Sequence, residues 1–163
     1  MKKFLALLLT ALLVFSLAAC GAPAQNQGDA GEIPADDAFG ANLKSIVEAY
    51  NGFLGTLSET MQAYDGSADW WTAYAALYNS SGEITDQMTT LADVVPAPYQ
   101  EAYAGIVLAM AAYTDAMATL AAGIDSTDPA EQQAIFEGST DLFTAAGELW
   151  VSSAEALNNV AVG

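Results

Sequence analysis

Apolar residues recur at steps of three and four through four blocks of the chain, a period that admits helices packed along one stripe and little else. In the first block Phe39, Leu43, Ile46, Tyr50, Phe53, Leu57 and Tyr64 keep the spacing, with Val47, Leu54 and Met61 widening the stripe on one side. The second runs Trp70, Tyr74, Leu77, Ile84, Met88, Leu91 and Val95, with Ser81 as its polar member and Trp71 and Tyr78 beside it. The third, from Tyr99 through Tyr103, Ile106, Met110, Tyr113, Met117 and Leu120 to Ile124, has no break. The fourth places Ile135, Leu142 and Leu149 on its seam, flanked by Phe136, Phe143, Trp150 and Leu157. Ser139, Ala146 and Ser153 stand on that seam where larger residues are expected, and small residues there let a neighbouring helix approach closely.

Turn chemistry separates the blocks: Tyr64-Asp65-Gly66-Ser67, then Val95-Pro96-Ala97-Pro98, then Gly123 to Pro129. Asp128-Pro129-Ala130-Glu131 sets a capping acid before a proline at the first helical position, with a glutamate two places on, an order that satisfies orphan amides at a helix start. Short turns make antiparallel neighbours. The fold expected is therefore all-α, an antiparallel up-down-up-down four-helix bundle over residues 36–163, with helices of roughly 25 to 30 residues. Gly52, Gly55, Gly82, Gly105, Gly138 and Gly147 lie inside the blocks and each costs up to about 1 kcal/mol relative to Ala, so the helices depend on packing more than on propensity. Ser80-Ser81-Gly82 marks a kink that would split the second helix.

Ahead of the blocks the chain changes character. Lys2 and Lys3 form a short positive region, and Phe4 to Leu17 is an apolar run broken only by Thr10 and Ser16, the build of an export signal. Counted to Ala19 the run has sixteen residues. That is about 24 Å of helix, short of the roughly 30 Å hydrocarbon core a spanning helix must cross. Leu17-Ala18-Ala19-Cys20-Gly21 resembles the lipobox of bacterial lipoproteins. The resemblance covers the first twenty-one residues and implies cleavage before Cys20, with residues 1–19 as signal peptide and diacylglycerol and a palmitate-type acyl group on Cys20. It also implies lipid anchoring in the cell membrane on the extracytoplasmic side. The lysine pair and the Ala-Ala-Cys-Gly ending look like those of proteins on the outer face of a Gram-positive membrane. Residues 20–35, rich in Ala, Gly, Gln, Asn and Pro, bury nothing and read as a flexible tether. About 15 such residues reach about 20 Å.

Charge and missing residue types exclude most chemistry. Cleavage would leave Lys44 as the sole base against all twenty acidic residues, which opposes binding to nucleic acid or anionic lipid. With no histidine, no arginine and one cysteine already assigned, the usual general bases, phosphate clamps and nucleophiles are lacking, so the chain is read as a non-enzyme without cofactor. Two candidate sites remain. The aromatic residues Trp70, Trp71, Tyr74 and Tyr103 are candidates for a cleft that takes a small amphipathic ligand where large rings face small residues. Asp125 and Asp128 are candidates for a hard cation, although Asp128 and Glu131 are equally explained as caps. The function expected is a membrane-tethered binding or interaction module that presents an acidic helical surface to an envelope protein or a cationic molecule. The alternative is capture of a small ligand or cation within the bundle, as an accessory to transport or sensing.

Overall fold

The computed structural model describes residues 35–160, which are all-helical in their regular structure, with no strand among them. Four long helices follow in order: α1 (Ala35–Gln62), α2 (Ala68–Thr89), α3 (Gln100–Ala121) and α4 (Pro129–Val160). The signal segment, Cys20 and the tether through residue 34 lie outside the described residues.

Each boundary has a local cause. Gly66 takes a φ of 73°, a left-handed conformation suited to glycine, and turns the chain after α1. The Asp65 carboxylate accepts from the Ser67 amide at 2.9 Å, and Ser67 caps α2 by accepting from the Trp70 amide at 3.1 Å. After α2 the chain passes through two short 3₁₀ turns, Ala92–Val94 and Ala97–Tyr99, because Pro96 and Pro98 cannot donate to a continued helix. At α4 the expected capping arrangement is rerouted. Asp128 Oδ1 accepts from the Ala130 amide at 2.9 Å, but the Glu131 carboxylate accepts from Ser126 Oγ at 2.7 Å, and that hydroxyl in turn accepts from the Asp128 amide at 3.2 Å. Ser126 thus relays the reciprocal half of the box.

Burial follows the 4-3 stripes of the first and third blocks, while in the second Trp70, Tyr74 and Met88 are buried and Leu77, Ile84, Leu91 and Val95 only partly so. Phe39, Leu43, Tyr50 and Leu57 of α1 and Ile106, Met110, Tyr113, Met117 and Leu120 of α3 are all buried. The fourth stripe needs correction. Leu142 and Leu149 are 43% and 37% exposed; the small seam residues Ser139, Ala146 and Ser153 are buried, and the flanking Phe136, Phe143, Trp150 and Leu157 face the core in place of the leucines. Two adjacent rows are apolar there, and the one bearing the larger rings removes more surface from water. The expected split of α2 does not occur either. Ser80 and Ser81 donate to the carbonyls of Leu77 and Tyr78 at 2.8 and 2.7 Å, and the helix runs on to Thr89. The helices span 28, 22, 22 and 32 residues, so α2 and α3 fall short of the expected length where the 3₁₀ turns and Gly123 end them.

The backbones of α3 and α4 approach most closely, and small residues are the reason. A Cβ built on Gly105 would lie 2.8 Å from Ser153 Oγ, while Ala109, Ala116, Ser139 and Ala146 are wholly buried. α1 stands off and fills the wider gap with rings: Tyr50 packs on Trp150 at 4.9 Å between centroids and on Tyr113 at 6.2 Å. Tyr74 of α2 meets Met117 of α3 and Met88 meets Tyr103, while Gly105 and Tyr113 of α3 meet Ser153 and Phe143 of α4. Phe39 packs on Tyr99 and Tyr103 at 5.3 and 6.3 Å, so the start of α1, the start of α3 and the end of α2 share one end of the molecule.

Candidate functional site

Three of the four aromatic candidates cluster. Trp70 and Tyr74, one helical turn apart on α2, stack at 5.4 Å with planes 2° apart, and Trp71 meets Trp70 edge-on at 4.8 Å. Tyr64 and Phe136 close the cluster from the α1 and α4 sides, stacked at 3.7 Å. The polar handles of these rings are taken up locally. Trp70 Nε1 donates to the Thr60 carbonyl at 2.7 Å, and the Tyr74 hydroxyl donates to the Met117 carbonyl at 2.7 Å. Trp71 lays its ring on Gly123, where any side chain would collide with it, and its Nε1 is buried without a partner among the described residues. A hollow of about 480 Å³ lies against Trp71, walled by Ile124, Ser126 and Gln132, and Gln132 Nε2 is already committed to the carbonyls of Gly123 and Ser126 at 3.1 and 2.8 Å. Tyr103 does not join this group. It stands at the opposite end of the α2–α3 pair, its hydroxyl donating to the Met88 carbonyl at 2.9 Å. At Ser153 the approach of α3 leaves no room for a ring, since a Cβ on Gly105 would already lie 2.8 Å from its Oγ.

Asp125 and Asp128 are both exposed, and Asp128 spends one oxygen on the start of α4. Among the described residues no three His, Cys, Asp or Glu side chains gather as a metal would need.

Two further features stand out that the sequence reading passed over. The first is polar and central. Tyr50 and Tyr113 are almost wholly buried, and neither hydroxyl has a partner among the described residues. Asn51 next to Tyr50 accepts from Trp150 Nε1 at 3.0 Å, and its own Nδ2 is buried without a partner. Both phenols are pushed well above their ordinary pKa by burial, and Tyr50 is pushed further by its neighbour Tyr113. Buried polar groups are normally bonded, so three unbonded atoms around one ring cluster form an unfilled hydrogen-bonding demand. An asparagine beside a core tyrosine was the sequence signal for it.

The second is apolar and open. A groove of about 650 Å³ runs between α2 and α3, walled by Met88, Ala92, Tyr103, Val107, Leu108 and Met110. Leu108 is 58% exposed and Val107 39%. Both lie off the α3 stripe, and two aliphatic residues outside a complete stripe were the signal. They also explain why Ala97–Ala121 is apolar enough to cross a membrane by length and composition while 39% of its most apolar window is buried in the protein. The buried part is core, and much of the rest is groove.

Comparison with protein-family models, curated proteins and solved structures finds no match to this chain.

Proposed function

We propose that the chain is a lipoprotein tethered to the extracytoplasmic face of the cell membrane through acylated Cys20, and that its helical domain is a non-enzymatic binding module. The observation that carries the anchor is the register of Lys2-Lys3, the apolar run and Leu17-Ala18-Ala19-Cys20-Gly21. With two or three acyl chains and about 0.8 kcal/mol per buried methylene, such an anchor is effectively permanent. The four helices form an up-down-up-down bundle, a reading supported by the opposite sense in which successive helices meet. Binding is favoured over catalysis by composition: the described residues contain no histidine or arginine and a single lysine, Lys44.

The test is the mass of the amino terminus after expression in a lipoprotein-processing host. A chain beginning at diacylglyceryl-Cys20, and a Cys20→Ser variant left uncleaved, are expected. A chain cleaved at another site and released without lipid would sink the anchor.

A second reading, capture of a small polar ligand in the core, is supported by the unbonded Tyr50, Tyr113 and Asn51 atoms. Native mass spectrometry of the gently purified protein separates the two: an adduct that leaves on unfolding and is lost from Tyr113→Phe supports capture, and a clean apo mass argues against it.

A further inference from the structure

We infer that the groove between α2 and α3 is a docking site for a cationic amphipathic helix, one with an apolar stripe and lysine or arginine at its flanks. The inference rests on the reading of the chain as a binding module and names the surface and the partner chemistry.

The wall of the groove offers hydrocarbon and almost no hydrogen bond. Its hydroxyls are spent on backbone carbonyls: Thr85 donates to the Ser81 carbonyl, Thr89 to that of Asp86 at 2.7 Å, and Tyr103 to that of Met88 at 2.9 Å. Small-molecule sites normally carry placed polar groups that fix orientation, and this wall has none free. A helix laid along it by an i, i+3, i+4, i+7 row of apolar side chains needs none.

The rim decides which partner. Glu101 and Asp115 lie seven residues to either side of Leu108 on α3, so acids close both ends of the exposed apolar row. Asp86 and Asp93 stand exposed beside the α2 wall. Asp93 is near enough that, after burial, its charge is what holds the Tyr103 phenol above its ordinary pKa. Four carboxylates around hydrocarbon favour a partner whose apolar stripe is flanked by cations. They disfavour an anionic bilayer surface. A second copy is disfavoured in the same way, since a two-fold contact would set the four acids against their own copies on a chain of formal charge −17.

The experiment uses the full chain held in nanodiscs of zwitterionic lipid by its amino-terminal region, whether acylated or uncleaved. A dye-labelled 18-residue peptide of leucine and lysine with one apolar stripe is titrated with the loaded discs, empty discs being the blank, and anisotropy is read. Saturable binding is expected, weakened at least about tenfold by Leu108→Ser. Asp93→Asn with Glu101→Gln is expected to weaken it several-fold, as is a leucine and glutamate peptide of the same pattern. Leu142→Ser, an exposed aliphatic position on α4, should leave it unchanged. Leu108 is more than half exposed, so its variant is expected to fold, which circular dichroism checks. Absence of saturable binding above empty discs, binding indifferent to Leu108→Ser, or equal binding of the glutamate peptide would each overturn the inference. So would a doubled protein mass that Leu108→Ser abolishes, or exchange protection of residues 104–111 by the bilayer alone. An unlipidated Cys20 together with Leu108-dependent binding would remove the anchor and leave the groove; a lipidated Cys20 without peptide binding would do the reverse.

Discussion

Tyr74 and Tyr113 are both excluded from water, yet only Tyr74 has its hydroxyl bonded, to the Met117 carbonyl at 2.7 Å. Removing a bonded hydroxyl forfeits about 1 kcal/mol, whereas removing an unbonded one relieves a desolvation penalty. Tyr74→Phe is therefore expected to lower stability by about 1 kcal/mol, and Tyr113→Phe to leave it unchanged or raise it by up to about 1 kcal/mol, both read from urea unfolding. The reverse order would mean that the Tyr113 hydroxyl has a bound partner in solution. The same phenols set an alkaline limit. Burial first, then Tyr113 for Tyr50 and Tyr78 for Tyr74, raises the pKa of Tyr50, Tyr74 and Tyr113 far above the ordinary 10.0. A raised folded-state pKa means the unfolded chain releases these protons first, so their contribution is complete below about pH 10 and is lost as pH rises from there toward the folded values. Stability is expected to be level between about pH 8 and 9 and to fall above about pH 10. A Tyr113→Phe variant should fall less steeply. Little of this core polarity was legible in sequence, because period marks Tyr50 and Tyr113 as core without saying where a hydroxyl points.

Helix by helix, the legible part was the spacing and the illegible part was the choice between equivalent rows. Ser139, Ala146 and Ser153 announced a close neighbour, and α3 supplies it at Gly105. Leu142 and Leu149 fit that seam by period because leucine and phenylalanine score alike in a pattern, while the structure buries Phe143 and Trp150, whose rings carry more area. Trp70, Trp71 and Tyr74 were legible as a cluster since they share one helix; Tyr103 fell elsewhere because its distance from them depends on how α2 and α3 pair. The tight α3–α4 seam makes a prediction in contrast with a loose one. Gly105→Leu drives a large side chain into Ser153 and is expected to cost about 1–3 kcal/mol. Gly52→Ala removes the same residue type from α1, where a new Cβ meets nothing within 4 Å, and is expected to gain about 0.5–1 kcal/mol. Equal effects in paired denaturation curves would mean that α3 and α4 do not pack as closely as described.

Across the whole molecule the dominant fact is charge, and it was fully legible: twenty acids against three bases, two of which sit in the apolar amino-terminal segment. The acids stand off the buried rows, as Glu48, Glu59, Asp86, Asp115, Asp141, Glu148 and Glu155 do, so their mutual repulsion acts across the surface against a core built of rings and aliphatics. Self-repulsion of this kind destabilises the compact state, and mobile ions screen it over about 10 Å at 0.1 M and about 3 Å at 1 M. Sodium chloride is therefore expected to raise the melting temperature. For a domain of this size a gain of 1 kcal/mol moves it by about 4 °C. The shape of the rise separates causes. Screening of neighbouring carboxylates delivers most of its effect below about 0.2 M, whereas salting-out of apolar surface grows without saturating at higher concentration. A melting temperature that climbs early and levels off would mark the acidic surface as a load the core carries. A temperature that stays flat to 0.2 M would mean that the carboxylates are too widely spaced to repel one another.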